Sequence, residues 1–157
     1  MNTLQDLRKL YINCDEHIFG IVNFPKLENV DVANCSLLNK IANCPNLKEI
    51  TITYCTLRVI NNLPNLTKIS IQSYPAGIIK INDCPKLSYV CFYNCDKSEL
   101  YTNAKIKLCE YINSDVAKIA NLSTVEVLEC NGCENLKVIE NCLNLRKLTC
   151  NTSVEIR

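Results

Sequence analysis

An eleven-residue phrase that recurs at a fixed interval constrains this chain more than anything else in it. Pro25-Lys-Leu-Glu-Asn-Val-Asp-Val-Ala-Asn-Cys35 is matched 20 residues later by Pro45-Asn-Leu-Lys-Glu-Ile-Thr-Ile-Thr-Tyr-Cys55. The shared unit is Leu-x-x-(Ile/Val)-x-(Ile/Val)-x-x-Cys. With its first leucine as an anchor, the series is Leu7, Leu27, Leu47, Leu66, Leu87, Ile106, Val125 and Leu145, at intervals of 20, 20, 19, 21, 19, 19 and 20. Aliphatic residues recur three after the anchor (Leu10, Val30, Ile50, Ile69, Val90, then Cys109, Leu128, Leu148). Five after it stand Ile12, Val32, Ile52, Ile71, Phe92, Tyr111, Cys130 and Cys150. Eight after it come Asp15, Cys35, Cys55, Tyr74, Cys95, Ser114, Cys133 and Ser153. Six before the next anchor runs an unbroken column of Ile21, Ile41, Ile60, Ile81, Leu100, Ile119 and Ile139. Three before it stand Phe24, Cys44, Leu63, Cys84, Asn103, Leu122 and Cys142. A period of this length implies stacked copies of one unit that cannot bury its apolar side alone.

The phrase resembles the leucine-rich-repeat signature, Leu-x-x-Leu-x-Leu-x-x-(Asn/Cys)-x-Leu, and the resemblance covers residues 1–157 as one domain of eight repeats. It is tight in the first half of each repeat and looser in the second. It is weakest over residues 96–105 and at the insertion Pro75-Ala76-Gly77. The short period and the asparagine content look most like the repeat proteins of giant DNA viruses, with short-repeat bacterial effectors as the second resemblance. The resemblance implies a leucine-rich-repeat solenoid, a right-handed superhelix with a curved parallel β-sheet, whose concave face is the usual contact surface.

Strand side chains alternate, so positions three and five after the anchor face the core, and positions two, four and six face out. Eight parallel strands spaced about 4.8 Å apart give a sheet roughly 34 Å across. About a dozen residues return the chain to the next strand. Pro25, Pro45, Pro64 and Pro85, each two before an anchor, argue against a long helix there. Extended or short 3-10 segments with little α-helix are expected on that side.

The repeat also accounts for the cysteines. Ten of twelve fall in inward columns, where a thiol serves as a small buried apolar group. Cys14 and Cys91 fall outside those columns and are expected to be the reactive pair. Cys130-Asn-Gly-Cys133 is the spacing of half a zinc site, but zinc needs four converging ligands and the columns explain both residues without one. Neither metal nor cofactor is expected. Catalysis has no support either: His17 is the single histidine, Cys14 nearby has no orienting partner motif, and three glycines leave no phosphate loop.

Seventeen basic and sixteen acidic residues leave a formal charge of +1, which argues against a nucleic-acid partner. No apolar run approaches the roughly 20 residues that cross a bilayer, and no signal-like segment opens the chain. A cytoplasmic location (host cytoplasm for a viral protein) with reduced thiols is the expectation. The excess of asparagine, isoleucine and lysine is the bias an A/T-rich genome leaves, and on that reading it carries no chemistry.

The outward strand positions locate a partner surface. In the first four strands and the last they are mostly polar. In strands five to seven they include Tyr89, Tyr93, Leu108, Ile112 and Val127, flanked by Glu110 and Glu129. An apolar patch that core building does not require marks a contact site, and tyrosine is favoured at such sites. The expected function is a non-catalytic protein–protein scaffold. A substrate-recognition module of a ubiquitin ligase and a self-assembling repeat protein, joined through uncapped ends, are the alternatives.

Overall fold

The chain forms a parallel β-solenoid, seen in a computed structural model that describes residues 4–73, 77–96 and 98–157. Each repeat contributes two strands. The first coils hold β1 (Lys9–Asn13), β2 (Gly20–Val22), β3 (Asn29–Ala33), β4 (Lys40–Ala42), β5 (Glu49–Thr53) and β6 (Val59–Asn61). The middle coils hold β7 (Lys68–Gln72), β8 (Gly77–Asn82), β9 (Tyr89–Tyr93) and β10 (Ser98–Thr102). The last hold β11 (Leu108–Ile112), β12 (Lys118–Ala120), β13 (Val127–Asn131), β14 (Val138–Glu140), β15 (Lys147–Cys150) and β16 (Glu155–Ile156). Helix among the described residues is limited to one 3-10 turn, Leu4–Asp6.

The odd-numbered strands make an eight-stranded front sheet, in the order β1-β3-β5-β7-β9-β11-β13-β15. Its register puts like columns side by side, as in Val30↔Ile50 and Ile50↔Ile69. The return side is more regular than the sequence suggests. Its segments also pair in parallel, as a five-stranded sheet β10-β8-β6-β4-β2 and a three-stranded sheet β12-β14-β16. Three-residue strands are too short to display alternation, which is why the sequence shows only extended chain there.

The core lies between these walls. Ile41, Ile60 and Ile139 are fully buried and Ile119 is nearly so, as are the three-after and five-after columns of the inner coils. Phe92 and Tyr111 stack within it, ring centroids 4.8 Å apart. One core column escapes the sequence reading. Leu38 and Leu136 lie eleven after their anchors, Leu57 and Val116 ten after, and all four are buried. That one-residue slip hides the column from a fixed-interval count. Asn103, placed inward by its column, is exposed, and Tyr74 lies outside the described residues.

Two corners of each coil explain the asparagines. Among the described residues twelve non-glycine residues have positive φ, in two columns. Cys14, Asn34, Tyr54, Ser73, Asn94 and Asn113 sit seven after the anchor, and Asn23, Asn43, Asn62, Asp83, Asn121 and Asn141 sit four before it. Asparagine tolerates the left-handed region better than other side chains with a Cβ. Its amide also bonds to the coil before: Asn43 donates to Asn23 Oδ1 (3.1 Å) and Asn62 to Asn43 Oδ1 (2.9 Å). Asparagine therefore has a structural role here that compositional bias alone does not explain. The anchor turns add to it. Leu27 and Leu47 N–H bond the carbonyls of Phe24 and Cys44, with Pro25 and Pro45 in the second turn position.

Candidate protein-interaction face

The outward rows of the front sheet are built by the same register. Tyr89, Leu108 and Val127 are lateral neighbours, as are Cys91, Glu110 and Glu129, and then Tyr93, Ile112 and Asn131. The seven residues singled out in the sequence thus occupy three adjoining strands. Tyr93 is exposed at 37 %, while Tyr89, Leu108, Ile112, Val127 and both glutamates are half-buried. The patch is less exposed than expected, because neighbouring side chains in each row cover one another's flanks.

Its polar groups are partly satisfied within the row. The Tyr89 hydroxyl donates to the Glu110 carboxylate, and Lys68 Nζ lies 5.2 Å from the Tyr89 ring centroid. Desolvation, then the hydrogen bond to Glu110, push the Tyr89 phenol far up. Glu129 accepts from Lys147 at 3.2 Å. Glu110 and Glu129 stand opposite each other in the ladder, an arrangement of like charges that is mildly unfavourable. The Lys147 ammonium is bonded to one of these two carboxylates, and Glu110 is met by a neutral phenol.

Cys91 corrects the sequence reading. It sits in an outward position yet is 8 % exposed, with Tyr89 and Glu110 as its close polar neighbours. Burial covers the thiol and raises its pKa, and both disfavour reaction. Cys14 is exposed, its thiol 3.2 Å from Asn13 Oδ1. Cys142 and Cys150, counted among the buried ten, are half-buried in the last coil. All twelve cysteines are free. Cys130 is a core residue, and Cys133 donates to the Tyr111 carbonyl at 3.3 Å. Among the described residues no group of three or more His, Cys, Asp or Glu side chains converges as a metal set. His17 is exposed, its backbone N–H bonded to Asp15 Oδ1 at 2.7 Å.

Sequence reasoning missed a second feature of this face. A hollow of about 380 Å³ lies over β1, β3 and β5, bounded by Lys9, Tyr11, Asp31 and Glu49. Tyr11, passed over among polar neighbours, is 71 % exposed. Comparison with protein-family models, curated proteins and solved structures finds no significant match for the chain.

Proposed function

We propose that this solenoid is of the leucine-rich-repeat kind, right-handed and curved, and that it binds a protein partner through β9, β11 and β13. The observation that carries this reading is the ladder row Tyr89–Leu108–Val127 lying beside Glu110–Glu129. Apolar groups there have no folding role, since the inward columns already supply the core. Two adjacent carboxylates, one of them bonded to lysine, favour a partner that presents a cation flanked by apolar side chains. The polar outer strands then supply rim contacts and specificity.

Affinity capture from host lysate, in parallel with Tyr93→Asp and Ile112→Asp variants, tests the reading. One specific partner that both variants lose by roughly tenfold or more, with unchanged melting, is the expected result. Thr51→Asp and Ser70→Asp are the matched controls. Equal loss in all four variants refutes the assignment, and recovery of ligase components identifies a substrate-recognition module instead. The self-assembly reading draws support from half-buried Leu10, Ile12, Leu145 and Leu148 in the outermost coils. It is the weaker one, because end-to-end stacking in register sets Arg146 beside Arg8 and Lys147 beside Lys9.

A further inference from the structure

One corner of the solenoid lacks the bond that closes the six corners before it. The residue seven after each anchor has positive φ, and in six coils its N–H donates to the strand-end carbonyl of the next coil at 2.7–3.1 Å. Cys14 meets Ala33 O in the first of these, and Asn113 meets Asn131 O in the last. The seventh corner is Gly132, with φ of 70°. The row places its acceptor at Asn151, but β15 ends at Cys150, and the β13–β15 ladder has four residue pairs where the other front ladders have five. Among the described residues no acceptor takes the Gly132 N–H.

Asn131 precedes this glycine, and the pair is the one Asn-Gly in the sequence. Asn131 is half-buried at the end of the row that holds Tyr93 and Ile112, and Gly132 is exposed. Asparagine is chemically labile because its amide carbon lies within reach of the nitrogen that follows it, and attack there closes a five-membered ring. Closure is ordinarily hindered by the next side chain, or by a hydrogen bond that engages the attacking nitrogen. Glycine supplies no Cβ, and here its N–H is free. Asn13, at the same strand-end position in the first coil, shows the contrast. Cys14 after it carries a side chain, the Cys14 N–H is bonded to Ala33 O at 3.1 Å, and Asn13 Oδ1 accepts from Asn34 at 2.8 Å. At Asn131 the 2.7 Å bond from Asn113 N–H to the main-chain carbonyl holds the peptide plane, and ring closure requires it to open.

We infer that Asn131 is a site of spontaneous modification, at which water converts the side-chain amide to a carboxylate through a ring formed with Gly132. The Gly132 nitrogen gives its proton to solvent base and bonds to Asn131 Cγ. The Cγ–Nδ2 bond breaks, and the amino group takes up a proton and leaves as ammonia. Water then opens the succinimide at either carbonyl. Breaking the new N–Cγ bond yields aspartate. Breaking the original peptide C–N bond yields isoaspartate, whose main chain runs through Cβ and Cγ. Either product adds a negative charge to the outward face of β13, where Glu129 already stands. Isoaspartate also lengthens the main chain just ahead of Cys133, whose thiol bonds the Tyr111 carbonyl at 3.3 Å.

The test incubates the folded protein in mildly alkaline buffer and follows each asparagine by peptide mass spectrometry, with isoaspartate read by methyltransferase labelling. Asn131 is expected to be modified first, and faster as pH rises, while Asn13 stays intact over the same period. Gly132→Asn places there the residue found at the Asn94 and Asn113 corners, with a Cβ beside the nitrogen, and is expected to slow the reaction about tenfold or more. Hydrogen exchange of the unmodified protein checks the cause without a substitution: protection of the Gly132 amide is expected to be about tenfold or more below that of the Asn113 amide. Modification of Asn131 only in urea, its survival while Asn13 reacts, or an undiminished rate in Gly132→Asn overturns the inference. So does a Gly132 amide as protected as that of Asn113.

Discussion

At the scale of single residues the cysteines follow one rule, and it is a hydrogen-bonding rule as much as an apolar one. Each corner cysteine comes directly after a left-handed residue, where its side chain tucks inward and its S–H reaches back over the turn. Cys35 meets Ala33 O at 3.3 Å, Cys44 meets Ala42 O at 3.4 Å and Cys84 meets Asn82 O at 3.2 Å. Ser114 does the same with Ile112 O at 3.1 Å. A small side chain with a donor is what the corner requires. The sequence showed that these cysteines are interior; it could not show the donor role, because a column of thiols looks the same whether or not the S–H is used. Cys91 was misread because side-chain alternation sets direction, whereas cover depends on Tyr89 and Glu110 in the adjoining positions. Thiol labelling of the folded protein is therefore expected to modify Cys14 first, with Cys91 as slow as Cys109 or Cys130; rapid loss of the Cys91 thiol would contradict its burial. In the isoleucine column, Ile60→Ala removes a fully buried side chain and is expected to cost about 2–5 kcal/mol in denaturant melts. A cost below about 0.5 kcal/mol is the size of a surface change and would break the register.

At the scale of the element, corners rather than strands impose the stricter demand on sequence. A strand tolerates any β-branched or aromatic residue on its inward side, as Val32, Ile52 and Phe92 show in one column. A corner needs positive φ, and asparagine supplies that together with an amide that bonds coil to coil. Asn43 is the clearest case, with φ of 57°, an amide donated to Asn23 and a carbonyl accepting from Asn62. Asn43→Ala is expected to lose about 1–2 kcal/mol from the left-handed backbone alone. Asn43→Gly loses the same side-chain bonds but relieves that strain, so it is expected to be the milder change. Equal losses in urea melts would show that φ is not the reason for asparagine here. The same corners bury ionisable thiols, with a consequence for pH. Burial pushes the Cys84 thiol up to about 11 from an ordinary value of 9.0. The folded state thus keeps a proton that the unfolded chain gives up, and that stabilisation is complete below pH 9 and lost as pH rises towards 11. Urea midpoints are expected to hold steady between neutrality and about pH 8.5, the ordinary thiol range, then to fall. Cys84→Ser should make that fall shallower; an unaltered slope would remove Cys84 from the explanation.

For the whole molecule, the period legible in the sequence fixes which residues become neighbours, because each front strand pairs with the one a repeat away. The strand order and register of the front sheet were readable for this reason: Leu-x-x-Ile-x-Ile gives inward columns, and columns give register. The return wall was readable only in its isoleucines, and its split between β10 and β12 appeared beforehand as no more than a loosened repeat over residues 96–105. The Phe92–Tyr111 stack in the same coils involves two residues 19 apart whose contact exists only once the coils are stacked. Stability in such an array is a sum over coils and the interfaces between neighbours. Removing one complete repeat should therefore leave a shorter array with its register intact. Deleting residues 45–63 joins Cys44 to Pro64, the residue that stands in the place of Pro45 one repeat later, and excises 19 residues. The product is expected to unfold cooperatively at a lower denaturant concentration. Deleting residues 45–54 instead removes half a repeat, sets front-strand residues against a return strand and is expected to prevent folding. The excised coil carries β5 and β6 and no part of β9, β11 or β13. If the proposed face is correct, the 45–63 deletion keeps its partner affinity within about threefold, less than the tenfold scale of a hot-spot loss. A folded deletion protein that no longer binds would move the partner site to the hollow beside Tyr11, whose boundary on β5 the deletion removes.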